Sequence, residues 1–232
     1  MAEKKIRWLP LEANPDVINK YIGNLGMQPT YLFYDVFGVD PDLLPLVPQP
    51  CIALVLLFPC SDKHYTFKNE EEEHLKKEGQ TVSQNLFYMK QYVGNACGTI
   101  GILHALSNNT ESLTLGDGFL KRFFEKGQTM TPEERGRYLE EDEDISDAHQ
   151  TSAQEGDTSP PPIDEKVNHH FLALVQKDGH LYELDGTKAF PINHGPTTPD
   201  NFLKDAARVC QEFMKRDPEE IHFNIMALSA AQ

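Results

Sequence analysis

The chain has 232 residues, 39% hydrophobic and 25% charged, the proportions of an ordinary folded protein rather than of a disordered or membrane-embedded one. Its 21 Lys and Arg against 36 Asp and Glu leave a net charge of −15, which repels nucleic-acid backbones and anionic membrane surfaces and favours a partner with a basic face. MAEKKIRWLP lacks the apolar core of a secretion signal, CIALVLLF is too short to span a bilayer, and the four cysteines lie far apart without C-x-x-C spacing. The expectation is a cytosolic protein, with the nucleus as a second compartment, holding no disulfide framework, no metal and no cofactor.

IRWLPLEA reads as a short strand. In NPDVINKYIGNLG, Asn14 is a helix cap, Pro15 takes the first helical position and Gly26 stops the helix. TYLFYDVFG is extended, the Pro-rich PDLLPLVPQP irregular, and CIALVLLFP a central strand buried on both faces. NEEEEHLKKEG is a surface helix with acids first and lysines last, and TPEERGRYLEE carries capping-box spacing between Thr131 and Glu134. From Glu140 to Pro162 the chain is acidic and rich in Ser, Thr, Gly and Pro, which reads as a long mobile loop. HHFLALVQ and HLYELDG are strands joined at Asp178-Gly179, a dipeptide favoured in tight hairpin turns. TPDNFLKDAARVCQEFMKRDP follows as an amphipathic helix that takes Cys210 into the core, and IHFNIMALSA closes as a strand. Strands and helices interleave with no internal repeat, so residues 1–232 form one α/β or α+β domain.

Cys97 is the residue on which the chemistry turns. Asn95 caps the helix that follows, and Ile100, Ile102, Leu103, Ala105 and Leu106 make that helix largely buried. Cys97 therefore sits in a first turn, where unpaired N–H groups favour a thiolate; the competing reading is a small buried hydrophobe, which Cys51 and Cys60 keep. A nucleophilic thiol needs a base and the base an orienting acceptor. If Asp178-Gly179 is a two-residue turn, Lys177 faces His180, and His170 and Asp185 become diagonal neighbours on one sheet face while His169 points away. A one-residue slip would choose His169 instead. Gln91, six residues before Cys97, is the nearest neutral amide that could serve as a second oxyanion donor, although a solvated glutamine is the simpler reading.

Gln91, NACGTIG around Cys97, DEKVNHHF with the histidine pair His169 and His170, and HLYELDG together resemble the ubiquitin carboxyl-terminal hydrolase family, in particular its small single-domain L-type members. RWLPLEANP, MTPEERGRYLE, FPINHG and ALSA extend the resemblance over nearly the whole chain. It implies a knotted fold with an antiparallel sheet flanked by helices and a papain-like site: Cys97 as nucleophile, His170 as general base, Asp185 as its orienter and Gln91 as oxyanion donor. It further implies that 140–162 is the crossover loop over the active-site entrance and that Asp35 contacts ubiquitin. The implied activity is thiol-dependent removal of small or unfolded adducts from the carboxyl-terminal glycine of ubiquitin, by a monomer. A protein that merely buffers free ubiquitin, or a hydrolase that also accepts the cullin-modifying ubiquitin-like protein, fits the same residues. His169 beside His170 and the three prolines Pro160 to Pro162 depart from the family pattern.

Overall fold

The computed structural model describes residues 6–165 and 167–232. In chain order its elements are α1 (Pro15–Asn24), β1 (Tyr31–Asp35), β2 (Cys51–Pro59), α2 (Asp62–Glu78), α3 (Cys97–Ser107), α4 (Phe119–Gly127), α5 (Pro132–Glu141), α6 (Glu143–Ser152), β3 (His169–Lys177), β4 (His180–Leu184), β5 (Ile192–Pro196), α7 (Phe202–Arg216) and β6 (Asn224–Ala230). The strands form one sheet ordered β1-β6-β2-β3-β4-β5, and each neighbouring pair is antiparallel. β6 enters between β1 and β2, so the last strand of the sequence lies inside the sheet rather than at its edge.

The sheet separates two apolar clusters. On one face α3 packs among Trp8, Ile18, Tyr21, Phe123 and the inward side chains Phe171 and Ala173 of β3. On the other, α7 sets Phe202, Ala206, Val209, Cys210 and Phe213, which recur on one helical stripe, against Leu54, Leu56 and Leu172. Cys210 is fully buried, as its place on that stripe requires. β2 contributes to both clusters, which is why its sequence is continuously apolar rather than alternating. Asn14 caps α1 by accepting from the Asp16 and Val17 amides, and Thr131 and Glu134 form the reciprocal capping box of α5.

Several segments depart from their sequence reading. IRWLPLEA makes only an isolated bridge, Arg7 to Gly94, because Pro10 has no N–H to continue a ladder and Trp8 is instead buried in the core. α2 begins at Asp62, seven residues before Asn69, where the Ser61 hydroxyl caps it by accepting from the His64 amide. α4 and β5 had no counterpart in that reading.

The acidic stretch expected as a loop from Glu140 to Pro162 is helical as far as Ser152 and irregular beyond it. α5 runs to Glu141, Asp142 accepts from the Ile145 amide at 3.3 Å, and α6 follows. Ile145, His149 and Ser152, spaced one helical turn apart, are buried, so a sparse apolar stripe outweighs the acidic composition. Beyond α6 the chain lies against the N-terminal segment, where the Thr158 amide and hydroxyl donate to Glu12 Oε2 at 2.9 and 2.6 Å.

His149 ties α6 to α3. Its Nε2 lies 2.6 Å from the Leu9 carbonyl, to which it must donate, so Nδ1 is the acceptor for the Thr99 hydroxyl at 2.8 Å. His104 of α3 likewise accepts from the Met89 amide at 3.0 Å. Both rings are wholly inaccessible, and burial pushes each from the ordinary 6.5 down to about 4. The unfolded chain therefore takes up these protons first as pH falls. Stability should decline from about pH 6.5 to about pH 4, with a slope of up to about 1.4 kcal/mol per pH unit for each ring. Urea unfolding across this interval checks it, and a flat profile there would contradict neutral burial of the two rings.

Candidate active site

Asp178 and Gly179 form the tight β3–β4 turn, with φ of 48° and 77°. Positive values at both central positions match the right-handed twist of the flanking strands, and glycine takes such a value without strain. Lys177 pairs with His180, and the ladder runs out to Ala173 opposite Leu184. One step further, the side chains of His170 and Asp185 converge, with His170 Nε2 2.7 Å from Asp185 Oδ1. His169 is exposed and sets its ring edge-on to His222, 6.3 Å away.

Cys97 is the first residue of α3. Asn95 does not cap this helix as its residue type suggested. It adopts a left-handed backbone conformation, φ 61°, and its side-chain amide donates to the Trp8 carbonyl at 3.0 Å. The residue at the cap position is Ala96, which offers no side-chain acceptor, so the first-turn amides of α3 keep no cap. An uncapped helix start beside a thiol stabilises negative charge on sulfur and on an incoming oxyanion.

The electrostatics follow this geometry. Burial pushes the Cys97 thiol up, but a hydrogen bond and the charge of His170, with a backbone bond from Phe171, outweigh it and hold the thiol below its ordinary value. Burial pushes His170 down, while the charge and hydrogen bond of Asp185 and then Cys97 raise it well above 6.5. Asp185 is 1% exposed; desolvation raises its carboxyl, yet the charge and hydrogen bond of His170, then Lys68 and the Thr187 amide, hold it well below the carboxylate range. The three groups are coupled: His170 favours ionisation of the Cys97 thiol, and the Asp185 carboxylate favours the protonated His170 ring.

The turn after β4 is built to hold Asp185. Tyr88 Oη lies 2.8 Å from the Asp185 carbonyl and 2.7 Å from that of Lys188. The buried Lys188 ammonium lies 2.6 Å from both Glu183 and Glu71, neutralising charge that burial alone would not permit. Between them Gly186 receives the Gln91 amide on its carbonyl at 3.0 Å. A Cβ at Gly186 would stand 3.1 Å from Gln91 Cβ and 3.0 Å from Ile100 Cγ2, so any larger residue would press these neighbours apart by a few tenths of an ångström.

Cys97, His170, Asp185 and Gln91, the four residues singled out from the sequence, line one cleft of about 220 Å³. Gln91 Nε2 donates to the Val93 carbonyl at 3.1 Å and retains a second N–H. Cys60, read as an inert core thiol, lines the same cleft, but burial pushes it up and leaves it a poor nucleophile. Tyr65, Lys68 and Thr187 also line it, and nothing in their local sequence marked them. No residue of the stretch 140–162 is among those lining the cleft, which Val167, beyond it, does line. Asp35 ends edge strand β1, exposed and opposite Met226, and is not among the cleft residues. A larger groove of about 760 Å³ runs between the 39–49 segment and α7, away from this chemistry. Among the described residues no His, Cys, Asp or Glu cluster is arranged for a metal, and no helix is long and apolar enough to cross a membrane.

The family model described as ubiquitin carboxyl-terminal hydrolase, family 1, matches residues 8–215. A ubiquitin carboxyl-terminal hydrolase of Drosophila melanogaster is 49% identical over 227 residues, covering 98% of this chain and 99% of the relative. The human ubiquitin carboxyl-terminal hydrolase isozyme L1 is 45% identical, with coverage of 96% and 98%. The catalytic domain of UCH37 from Trichinella spiralis, solved bound to ubiquitin vinyl methyl ester, superposes with a TM-score of 0.77 at 24% identity, covering 97% of this chain and 96% of that one.

The coupling of Cys97 to His170 has a direct consequence. In His170→Gln the thiol loses the charge and hydrogen bond that lower it most, while burial and the Asp185 charge that raise it remain against the Phe171 backbone bond, so the pH midpoint for alkylation of Cys97 by iodoacetamide should move up. Alkylation rates measured from pH 5 to 10 check this, and an unmoved midpoint would contradict the pairing.

Proposed function

The chain belongs to ubiquitin carboxyl-terminal hydrolase family 1, and on that premise we propose that Cys97, His170, Asp185 and Gln91 carry out its hydrolysis. The enzyme is a cysteine-type ubiquitin carboxyl-terminal hydrolase. The observation that carries the assignment is the 2.7 Å contact between His170 Nε2 and Asp185 Oδ1, which leaves Nδ1 for the Cys97 thiol at the start of α3.

The Cys97 thiolate attacks the carbonyl carbon of the terminal glycine of ubiquitin. The oxyanion so formed is received by the Cys97 backbone N–H and by Gln91 Nε2. Collapse of this intermediate breaks the bond to the adduct, and the His170 imidazolium gives its proton to the leaving amine, leaving an S-acyl enzyme. Neutral His170 then takes a proton from water, whose oxygen attacks the thioester, Cys97 departs as thiolate, and the ubiquitin carboxyl group so formed loses its remaining proton to solvent. Asp185 keeps Nε2 occupied and the ring oriented throughout.

The −15 charge suits a basic ubiquitin tail. Small or unfolded adducts are the leaving groups we assign, because a cleft of about 220 Å³ admits an extended tail rather than a folded domain. The enzyme acts as a monomer, and its four free thiols suit the reducing cytosol or nucleus. The cullin-modifying ubiquitin-like protein is the second modifier to test. A preformed contact between His170 and Asp185 favours turnover over a role as a ubiquitin buffer.

Ubiquitin carrying a carboxyl-terminal electrophile should give one adduct on the wild type and none on Cys97→Ala, read by intact mass; an adduct on the variant would move the nucleophile elsewhere. Gln91→Ala should lower kcat by about 10²-fold to 10³-fold. Steady-state rates on a ubiquitin carboxyl-terminal amide substrate check this, and an unchanged kcat would remove Gln91 from the oxyanion site.

A further inference from the structure

The residues that touch Asp185 from outside the triad form a directed chain. Thr187 donates to Asp185 Oδ1 twice, from its amide at 2.8 Å and from its hydroxyl at 2.8 Å. The same hydroxyl receives the Lys68 ammonium at 2.8 Å, across from α2. An ammonium only donates and a carboxylate only accepts, so the proton order is fixed from Lys68 through Thr187 to Asp185. Oδ1 thereby takes three donors: His170 Nε2, the Thr187 amide and the Thr187 hydroxyl.

We propose that Thr187 and Lys68 are positioning residues for the reaction: the hydroxyl fixes the Asp185 carboxylate toward His170, and the ammonium behind it balances the carboxylate charge. The inference rests on the assignment of Cys97, His170 and Asp185 above.

The other charged and titratable groups around this carboxylate are already engaged. Lys188 is held between Glu71 and Glu183, and Lys90 donates to the Lys188 and Ala189 carbonyls. Tyr88 is bonded to the backbone of the same turn. His64 and His104 are kept neutral, each with its pKa pushed to about 4, and Cys60 is kept a thiol by burial. His169 turns its ring to His222, and Tyr65 bonds the Cys60 thiol. Lys68 is thus the cation of the cleft rim whose charge reaches Asp185 through one hydroxyl. Removing this cation leaves both the thiolate and the imidazolium in a more negative field, and each then holds its proton to higher pH.

The test is the pH profile of kcat/KM for hydrolysis of a ubiquitin carboxyl-terminal amide, with wild type, Lys68→Met, Thr187→Val, Thr187→Ser and the double variant Lys68→Met/Thr187→Val. Lys68→Met should shift both limbs of the profile to higher pH by on the order of half a unit at low ionic strength, a shift that shrinks in 0.5 M salt. Thr187→Val should lower kcat by about three- to tenfold, Thr187→Ser should restore it, and the double variant should lose no more than the worse single one. Thr187 is exposed, so its substitution leaves the core untouched. Unmoved limbs in Lys68→Met, or a rise in KM alone, would overturn the inference by making Lys68 a solvated or tail-binding cation. Equal losses in Thr187→Val and Thr187→Ser, or simple additivity in the double variant, would also overturn it. Each variant is treated with the ubiquitin electrophile alongside Cys97→Ala: labelling of Cys97→Ala would show that the underlying triad assignment had failed, independently of Lys68 and Thr187.

Discussion

The register of the β3–β4 hairpin is the constraint on which the site depends. Side chains alternate between the faces of a sheet, so a slip of one residue would put His169 where His170 stands and turn His170 to the other face. The Asp178-Gly179 turn sets that register from one end, and the close approach of Gly186 to Gln91 secures it at the other. The distance between His170 and Asp185 is therefore a property of backbone pairing that begins eight residues away from His170, rather than of the two side chains alone.

The second requirement is a rigid platform for the thiol. α3 is buried along nearly its whole length against the sheet, and its thiol sits half-buried at the first residue. Asn95 turns its amide to Trp8 instead of capping the helix. This forgoes about 1 kcal/mol of capping stabilisation and keeps the first-turn amides open to an anion. Burial of the helix body supplies the stability that its start gives up, the pattern expected where local preference yields to chemistry.

Much of this was legible in the sequence because it is local. Caps, a turn dipeptide and an apolar helix starting at a cysteine each depend on a few adjacent residues, and pairing outward from Asp178-Gly179 brought His170 to Asp185. The residues that escaped are joined through space. Lys68 belongs to a helix whose start was placed seven residues late, since Ser61 caps a first turn with no apolar periodicity. Thr187 gains meaning only when Lys68 and Asp185 are both near it. The acidic composition of α6 reads as loop and hides three buried positions, and β5 leaves no strand signal because INHGP carries Gly and Pro and little apolar surface. Asp35, carried over from a single short motif, lies outside the cleft.

Cys97 and His170 form a coupled pair oriented by Asp185, in which the thiol is held below its ordinary value and the imidazole above it. The most direct measurement is a ¹⁵N and ¹H titration of the His170 ring by NMR in the enzyme without substrate. The account predicts a ring protonated on both nitrogens at pH 7, with its Nε2 proton strongly deshielded by the Asp185 carboxylate. A ring that is neutral at pH 7 and titrates near the ordinary 6.5 would contradict it.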